Sequence, residues 1–366
     1  MRILFTFVMG RGHYEPLAPI ARAAVAAGHT VAFAGSGDVP KVAQAAGFEA
    51  YAIAPDRVPP ERKPLVPVDV EREQRELVAH LSGSAPRERV PAALALCERW
   101  RPDVLVCDEI DVGSMVAAEL YGAPHVTVLE NASGTFIRPR LIAEPTDALR
   151  AEHGLPPGPG HALLLSPFPP SLRNPPADAV SIRPVLEPGP VPAWLAGLSG
   201  AVFFTLGTVF NLESGDLFTR VVEGLRGLDV DVVVAVGHGI GPAELGPQPP
   251  HVRVERYVPL GAVLPRCAAV VSHGGSGVVV GTLAHGLPSA LIPMGADQPG
   301  NAARCEALGA SRVLEVMTAT PAEVRAAVAA VLGDGSYREA AERLRDEIAA
   351  LPGPDHAVAL LNTLGA

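Results

Sequence analysis

Short apolar runs, bounded by glycine, proline and polar residues, recur along this chain, and between them apolar positions repeat at helical spacing. In the N-terminal half the runs fall at residues 3–9, 30–35, 49–53, 104–107, 125–129 and 161–166. They are too short for helices and suit strands buried on both faces of a parallel sheet. After the first run, Leu17, Ile20, Ala21, Ala24 and Val25 share one helical face. It stops at Gly28, a residue type that commonly closes a helix. Further helices are predicted over 40–47, 70–82, 86–100, 112–121 and 143–153. The pattern then restarts, with strands predicted over 201–206, 230–236, 252–258, 270–272 and 291–293, and helices over 278–285, 319–332, 337–350 and 354–364. Strand and helix in such alternation predict an α/β protein built on parallel sheets.

The chain has 366 residues, more than one core usually supports, so two domains of roughly 150–200 residues are expected. Residues 186–200, LEPGPVPAWLAGLSG, have the composition of a linker. They suggest a first domain over 1–188, a linker over 189–200 and a second domain over 201–350. The net charge of −10 and pI near 5.6 leave no basic footprint, which argues against nucleic acid as a partner. Cys97, Cys107, Cys267 and Cys305 lie far apart without metal-like spacing, as expected of free thiols in a reducing compartment. The apolar run at the N-terminus is too short to span a membrane and lacks a cleavage site. A cytoplasmic protein without an integral membrane segment is the expectation.

Two strand–turn–helix stretches carry the candidate chemistry. In the second half, Val270-Val271-Ser272 runs into His273-Gly274-Gly275-Ser276-Gly277 and then a helix. The first amides of a helix have no internal partner and its dipole favours negative charge there, so Gly275, Ser276 and Gly277 make an anion site that a phosphate can approach closely. His273 stands at that turn, where its ring can donate to a phosphate oxygen, and Asp297 heads the next helical stretch, where its carboxylate would serve as N-cap. In the first half, the turn Gly10-Arg11-Gly12-His13 follows the opening strand. A dinucleotide reading fails there, because Pro16 stands where a third glycine is needed and 30–35 ends without a ribose-binding acid. The turn instead projects His13 from the carboxyl end of a strand, with an imidazole whose ordinary pKa near 6.5 suits a general base. Asp108, at the end of 104–107, is the acid chosen to fix that ring's tautomer. Asp111, a plausible N-cap of the following helix, is the alternative.

His273-Gly274-Gly275-x-Gly277, Gly286-x-Pro288, Pro293, Asp297-Gln298 and Asn301-Ala302, together with Gly12-His13-x-x-Pro16-Leu17, resemble in order and spacing the motifs of GT-B nucleotide-sugar glycosyltransferases. The likeness is strongest to the bacterial enzymes that glycosylate antibiotics and other secondary metabolites. The resemblance implies two Rossmann-like domains facing across a cleft, the first for a small-molecule acceptor and the second for the donor, with residues 351–366 a terminal helix crossing back to the first domain. It also implies His13 as base on the acceptor, Asp108 as its partner, and inversion at the anomeric carbon. His273, the turn amides and Thr208 would hold the diphosphate, Tyr257 and Val258 the base, and Asp297 and Gln298 the sugar hydroxyls. Tyr257 replaces the more usual Trp, and Leu260 stands where many relatives have Gln. Asp229 and Asp231 have D-x-D spacing, but this family needs no metal and no cofactor besides the nucleotide sugar. Where many UDP-sugar users carry a ribose-binding Glu, this chain has Gly281, which implies a dTDP-sugar, a deoxyhexose as in antibiotic pathways. The irregular stretch 54–69 is assigned to the acceptor pocket, with a plain solvated loop as the competing reading. A second copy of the chain is a candidate partner. Competing readings of function are a UDP-sugar-dependent or C-glycosyltransferase, a nucleotide-sugar epimerase, and a non-catalytic nucleotide-sugar binder.

Overall fold

A computed structural model of the chain describes residues 1–8, 10–36, 39–55 and 61–365. The chain divides into two compact units, the first comprising Met1–Val58, Glu71–Pro184 and Leu351–Ala366, the second Pro59–Val70 and Val185–Ala350. In the first unit the chain runs through β1 (Arg2–Phe7), α1 (Arg11–Tyr14), α2 (Ala18–Ala26), β2 (Thr30–Ser36), α3 (Val39–Ala45) and β3 (Glu49–Ala54). It continues through α4 (Val70–Leu81), α5 (Ser84–Trp100), β4 (Val104–Asp108), α6 (Val112–Tyr121), β5 (His125–Val128), α7 (Pro139–Glu152), β6 (Leu163–Ser166) and β7 (Ala179–Ser181). The expected turn at 10–13 is a single helical turn, α1, and the helix expected to enter near Pro16 starts at Ala18 with Pro19 in its first turn. There the missing N–H costs nothing.

The seven strands form one sheet in the order β3-β2-β1-β4-β5-β6-β7, and each pair is parallel. Because side chains alternate across a strand, Ile3, Phe5 and Phe7 of β1 pack with Leu17, just before α2, and with Ile20 and Ala24 of α2 on one face. Leu4 packs with Ala93, Leu96 and Trp100 of α5 on the other. The strand order reverses between β1 and β4, and in open α/β sheets ligands bind at the carboxyl ends beside such a reversal.

The second unit repeats the principle with β8 (Ala201–Thr205), α8 (Leu217–Leu225), β9 (Val232–Ala235), β10 (Val252–Glu255), α9 (Leu260–Val263), β11 (Cys267–Ser272) and α10 (Ser276–Ala284). Then come β12 (Ser289–Leu291), α11 (Gln298–Ala307), β13 (Ser311–Val313), α12 (Pro321–Gly333) and α13 (Gly335–Ala350). Its sheet order is β10-β9-β8-β11-β12-β13, again with parallel pairs, and here the reversal lies between β8 and β11. The last helix, α14 (Pro354–Asn362), belongs to the first unit. Ala357, Val358 and Leu361 are buried there against the β1–α2 core.

Two stretches lie elsewhere than expected. Residues 189–200 fall within the second unit, where Leu195 is fully buried among Phe203, Val233 and Val270. Of the stretch 54–69, residues 56–60 lie outside the described residues, and 61–69 belong to the second unit. Leu65 and Val68 are the reason, since both pack on the core of the second sheet.

Candidate active site

The reversal point of the first sheet gathers a histidine and a carboxylate from distant parts of the chain. Asp108 ends β4, is fully buried, and accepts hydrogen bonds from the main-chain amides of Val8 (2.9 Å) and Ile110 (2.8 Å). Those bonds aim its Oδ2 at the α1 turn, where His13 Nδ1 lies 3.2 Å away. The His13 side chain keeps 20% of its surface exposed, so it can meet a ligand while its inner nitrogen is held by the acid. A ring whose Nδ1 donates to an acid is held in the tautomer in which Nε2 accepts a proton.

Asp111 is placed differently. Its carboxylate receives Arg89 through two nitrogens, Nε at 2.6 Å and Nη2 at 2.7 Å, and caps α6 by accepting from the Ser114 amide. Arg89, 4% exposed, also donates to the Phe7 carbonyl at the end of β1 and to Ser36 Oγ at the end of β2. It therefore ties the ends of β1 and β2 to the start of α6. Sequence reasoning gave Arg89 no role, although it is the one charged residue on the buried stripe Pro86, Val90, Ala93, Leu96, Cys97 and Trp100 of α5.

At the reversal point of the second sheet, β11 delivers His273 and the N-terminus of α10. The N-cap there is Gly275, which has no side chain to cap the helix, and the Asp297 carboxylate meets the Ser276 amide, so the amides after it in the first turn can face an anion. The His273 ring is 8% exposed and lies between two glycines. A Cβ on Gly207 would come within 2.7 Å of its Cε1, and one on Gly275 within 2.6 Å of its Nε2. Burial pushes the His273 pKa down to about 4, so near neutrality the ring is a neutral hydrogen-bonding group rather than a cation. Thr208 is exposed just after β8, while the Gly207 amide turns back to Thr205 Oγ1. Tyr257 and Val258 follow β10, and the Tyr257 ring lies nearly parallel to that of His238, with centroids 5.7 Å apart. Asp229 and Asp231 precede β9, at the end of the sheet opposite to these groups.

Asp297 does not cap its own helix, contrary to expectation. The residue before it, Ala296, sits at φ +52, a left-handed conformation that L residues seldom adopt. From there the Asp297 Oδ2 is directed to α10, accepting from Ser276 Oγ (2.5 Å) and from Asn301 Nδ2 (2.7 Å). Burial raises the Asp297 pKa, against the opposing effect of those two hydrogen bonds and of the main chain at Asp297 and Ser276. Asn301, fully buried, also donates to the Gly274 carbonyl at 3.0 Å and so holds the glycine turn to α11. Its spacing of four from Asp297, one helical turn, was the signal that could have assigned it. Gln298 is buried, and its Oε1 accepts from the Met294 amide. Gly281 is buried too, and a Cβ there would lie 2.9 Å from Leu186 Cδ1 and 3.2 Å from Leu264 Cδ1.

These contacts predict how the site fails. Gly275→Ala keeps an allowed backbone, at φ −62, but its methyl group would displace the His273 ring. If that ring bonds a phosphate, the variant should lose about 1.5–3 kcal/mol of nucleoside diphosphate affinity, as should His273→Ala, both measured by calorimetry. Asp297→Ala should weaken a sugar-bearing donor more than the bare diphosphate. Equal losses for the two ligands would remove the sugar contact and leave Asp297 only its role in holding Ser276.

Two Rossmann-like units, each with its polar groups at the reversal point of a parallel sheet, are the architecture of GT-B glycosyltransferases. Comparison with known proteins agrees. A family model described as Erythromycin biosynthesis protein CIII-like, C-terminal domain, matches residues 219–364. The L-demethylnoviosyl transferase of Streptomyces niveus is 34% identical over 97% of this chain and 96% of its own length. The 3-alpha-mycarosylerythronolide B desosaminyl transferase of Saccharopolyspora erythraea is 28% identical over 100% and 99%. Among solved structures, Spinosyn Rhamnosyltransferase SpnG is similar with a TM-score of 0.87 and 27% identity, covering 99% of this chain and 100% of that one. The chain belongs to the bacterial glycosyltransferases of antibiotic biosynthesis, and it is a glycosyltransferase of the GT-B fold.

Proposed function

We propose that this enzyme transfers a deoxyhexose from a dTDP-sugar to a hydroxyl of a small natural-product acceptor, inverting the anomeric carbon and using neither metal nor further cofactor. The observation that carries the mechanism is the pairing of His13 with the buried carboxylate of Asp108. His13 Nε2 takes the proton of the acceptor hydroxyl as the acceptor oxygen bonds to the anomeric carbon. The bond from that carbon to the phosphate oxygen breaks, and its electron pair leaves with dTDP. Asp108 stabilises the imidazolium that forms. Charge growing on the diphosphate is met by the first amides of α10 and by a neutral His273, with Thr208 alongside.

The nucleotide assignment draws on two supports. SpnG has been solved with thymidine diphosphate and the glycosyltransferase VinC with dTDP, and both are similar to this chain over 99–100% of its length. In this chain Gly281 offers a ribose 2′-hydroxyl no acceptor, and Leu186 and Leu264 occupy the space beyond it. A hydrogen bond to a charged group contributes roughly 1.5–3 kcal/mol, and a 2′-deoxyribose does not need that bond. dTDP is therefore expected to bind at least as tightly as UDP in competitive calorimetry. UDP binding tighter by about tenfold, or roughly 1.4 kcal/mol, would overturn the nucleotide assignment. Slow release of dTDP from a dTDP-sugar without acceptor is expected of a transferase. Its absence would favour a binder.

A further inference from the structure

We infer that residues 61–68 are a brace for the nucleotide site of the second unit, in which Arg62, Lys63 and Leu65 position the two loops that follow β8 and β9. Residues 61–70 belong to the second unit. Within this stretch Arg62 reaches the loop after β9. It donates through Nη1 and Nη2 to the Glu244 carboxylate at 2.7 and 2.8 Å and through Nη2 to the Gly239 carbonyl at 2.8 Å. Lys63 reaches the loop after β8, its amide donating to the Leu212 carbonyl at 2.8 Å and its Nζ to Glu213 at 2.9 Å.

The loops so held are the ones that carry the site. Phe210, two residues before Leu212, lies with its ring centroid 6.2 Å from that of His273. The same loop supplies Gly207, against which the His273 ring packs. Asn211, 1% exposed, donates to the Val236 carbonyl at 3.0 Å and so joins one loop to the other. The loop after β9 carries His238, whose ring lies beside Tyr257. A contact chain thus runs from Lys63 through Leu212 and Phe210 to His273, and from Arg62 through Gly239 to His238.

The ion pairs alone would not hold this arrangement, since Arg62 is 55% and Lys63 65% exposed and such pairs contribute little. Apolar burial does more. Leu65 and Val68 pack on the second core, and Gly215, at φ +49, brings its Cα so near that a Cβ would lie 3.0 Å from that of Leu65. Paired Arg62 contacts on one carboxylate then add direction to the apolar anchor.

The inference rests on the proposed nucleotide site, and the test separates the two. Residues 61–68 are replaced by a Gly-Ser segment of equal length, beside the point variants Leu65→Ser and Leu65→Ile. In the ligand-free protein, hydrogen exchange should quicken at the amides of 207–213 and 237–239 in the Gly-Ser and Leu65→Ser proteins and stay as in wild type in Leu65→Ile. Their dTDP dissociation constants should rise by about tenfold, the equivalent of about 1.4 kcal/mol, while the acceptor KM holds. A raised acceptor KM with unchanged dTDP affinity would mark an acceptor loop and overturn the brace. So would a lowered Tm with unchanged exchange at those amides and unchanged dTDP affinity, the sign of a purely structural segment. A wild type that binds neither dTDP nor UDP would fail the donor reading, and the exchange experiment would still decide the brace.

Discussion

His13→Ala is expected to lower sugar transfer to a hydroxyl acceptor by about 10²- to 10⁴-fold, the usual contribution of a positioned general base, while dTDP affinity stays at the wild-type value. The split follows from where the groups sit. His13 and Asp108 belong to the first unit, whereas His273 and the α10 terminus belong to the second. Removing the imidazole therefore leaves every group proposed to hold the nucleotide in place. Paired measurements of kcat with a good acceptor and of dTDP affinity by calorimetry check the result. A variant with half the wild-type rate would end the assignment of His13 as base, and one that also lost dTDP affinity would point to a misfolded protein or a misplaced site.

The same conservative change made three residues apart should fail in two different ways. Asp108→Asn removes the charge that faces His13 Nδ1 and leaves an oxygen for only one of the Val8 and Ile110 amides, so the rate should fall, less steeply than in His13→Ala, with a stability loss of about 1–3 kcal/mol for the amide left unpaired. Asp111→Asn keeps an N-cap for α6, since Asn caps as well as Asp, but strips the counter-charge from Arg89, which is 4% exposed. Breaking a buried ion pair from one side costs about 3–5 kcal/mol, and in a unit of this size Tm falls by roughly 2–4 °C for each kcal/mol. Thermal denaturation and steady-state rates on both variants decide it. If Asp111→Asn proved catalytically crippled at full stability and Asp108→Asn proved unstable, the two roles would have to be exchanged.

Much of this enzyme was legible because it is local. Strand, turn and helix alternate with periods that the backbone itself imposes, so most elements lie within a few residues of where the apolar pattern put them. Two anion-competent or base-bearing turns could be read because glycine conformations and unpaired helix amides are properties of short segments. Even so, β7 and β13, of three residues each, escaped the pattern, because three residues carry too little alternation to be told from loop.

Partner choice is what the one-dimensional pattern could not contain. Asp108, the acid chosen, and Asp111, the alternative, stand three residues apart at the same strand end. Arg89, 22 residues before Asp111, engages the second, and His13, 95 residues before Asp108, meets the first. Asp297 has the spacing of an N-cap and serves Ser276 and Asn301 instead, because a left-handed Ala296 turns it away from its own helix. Residues 61–69 read as polar loop from composition, and two apolar side chains, Leu65 and Val68, send them to the second unit. Periodicity and turn chemistry are set by sterics between near neighbours, and so the sequence alone determined the elements and their kinds. Which side chains then share a hydrogen bond or a core depends on segments that only the assembled sheets bring within reach, and that was decided by the tertiary structure.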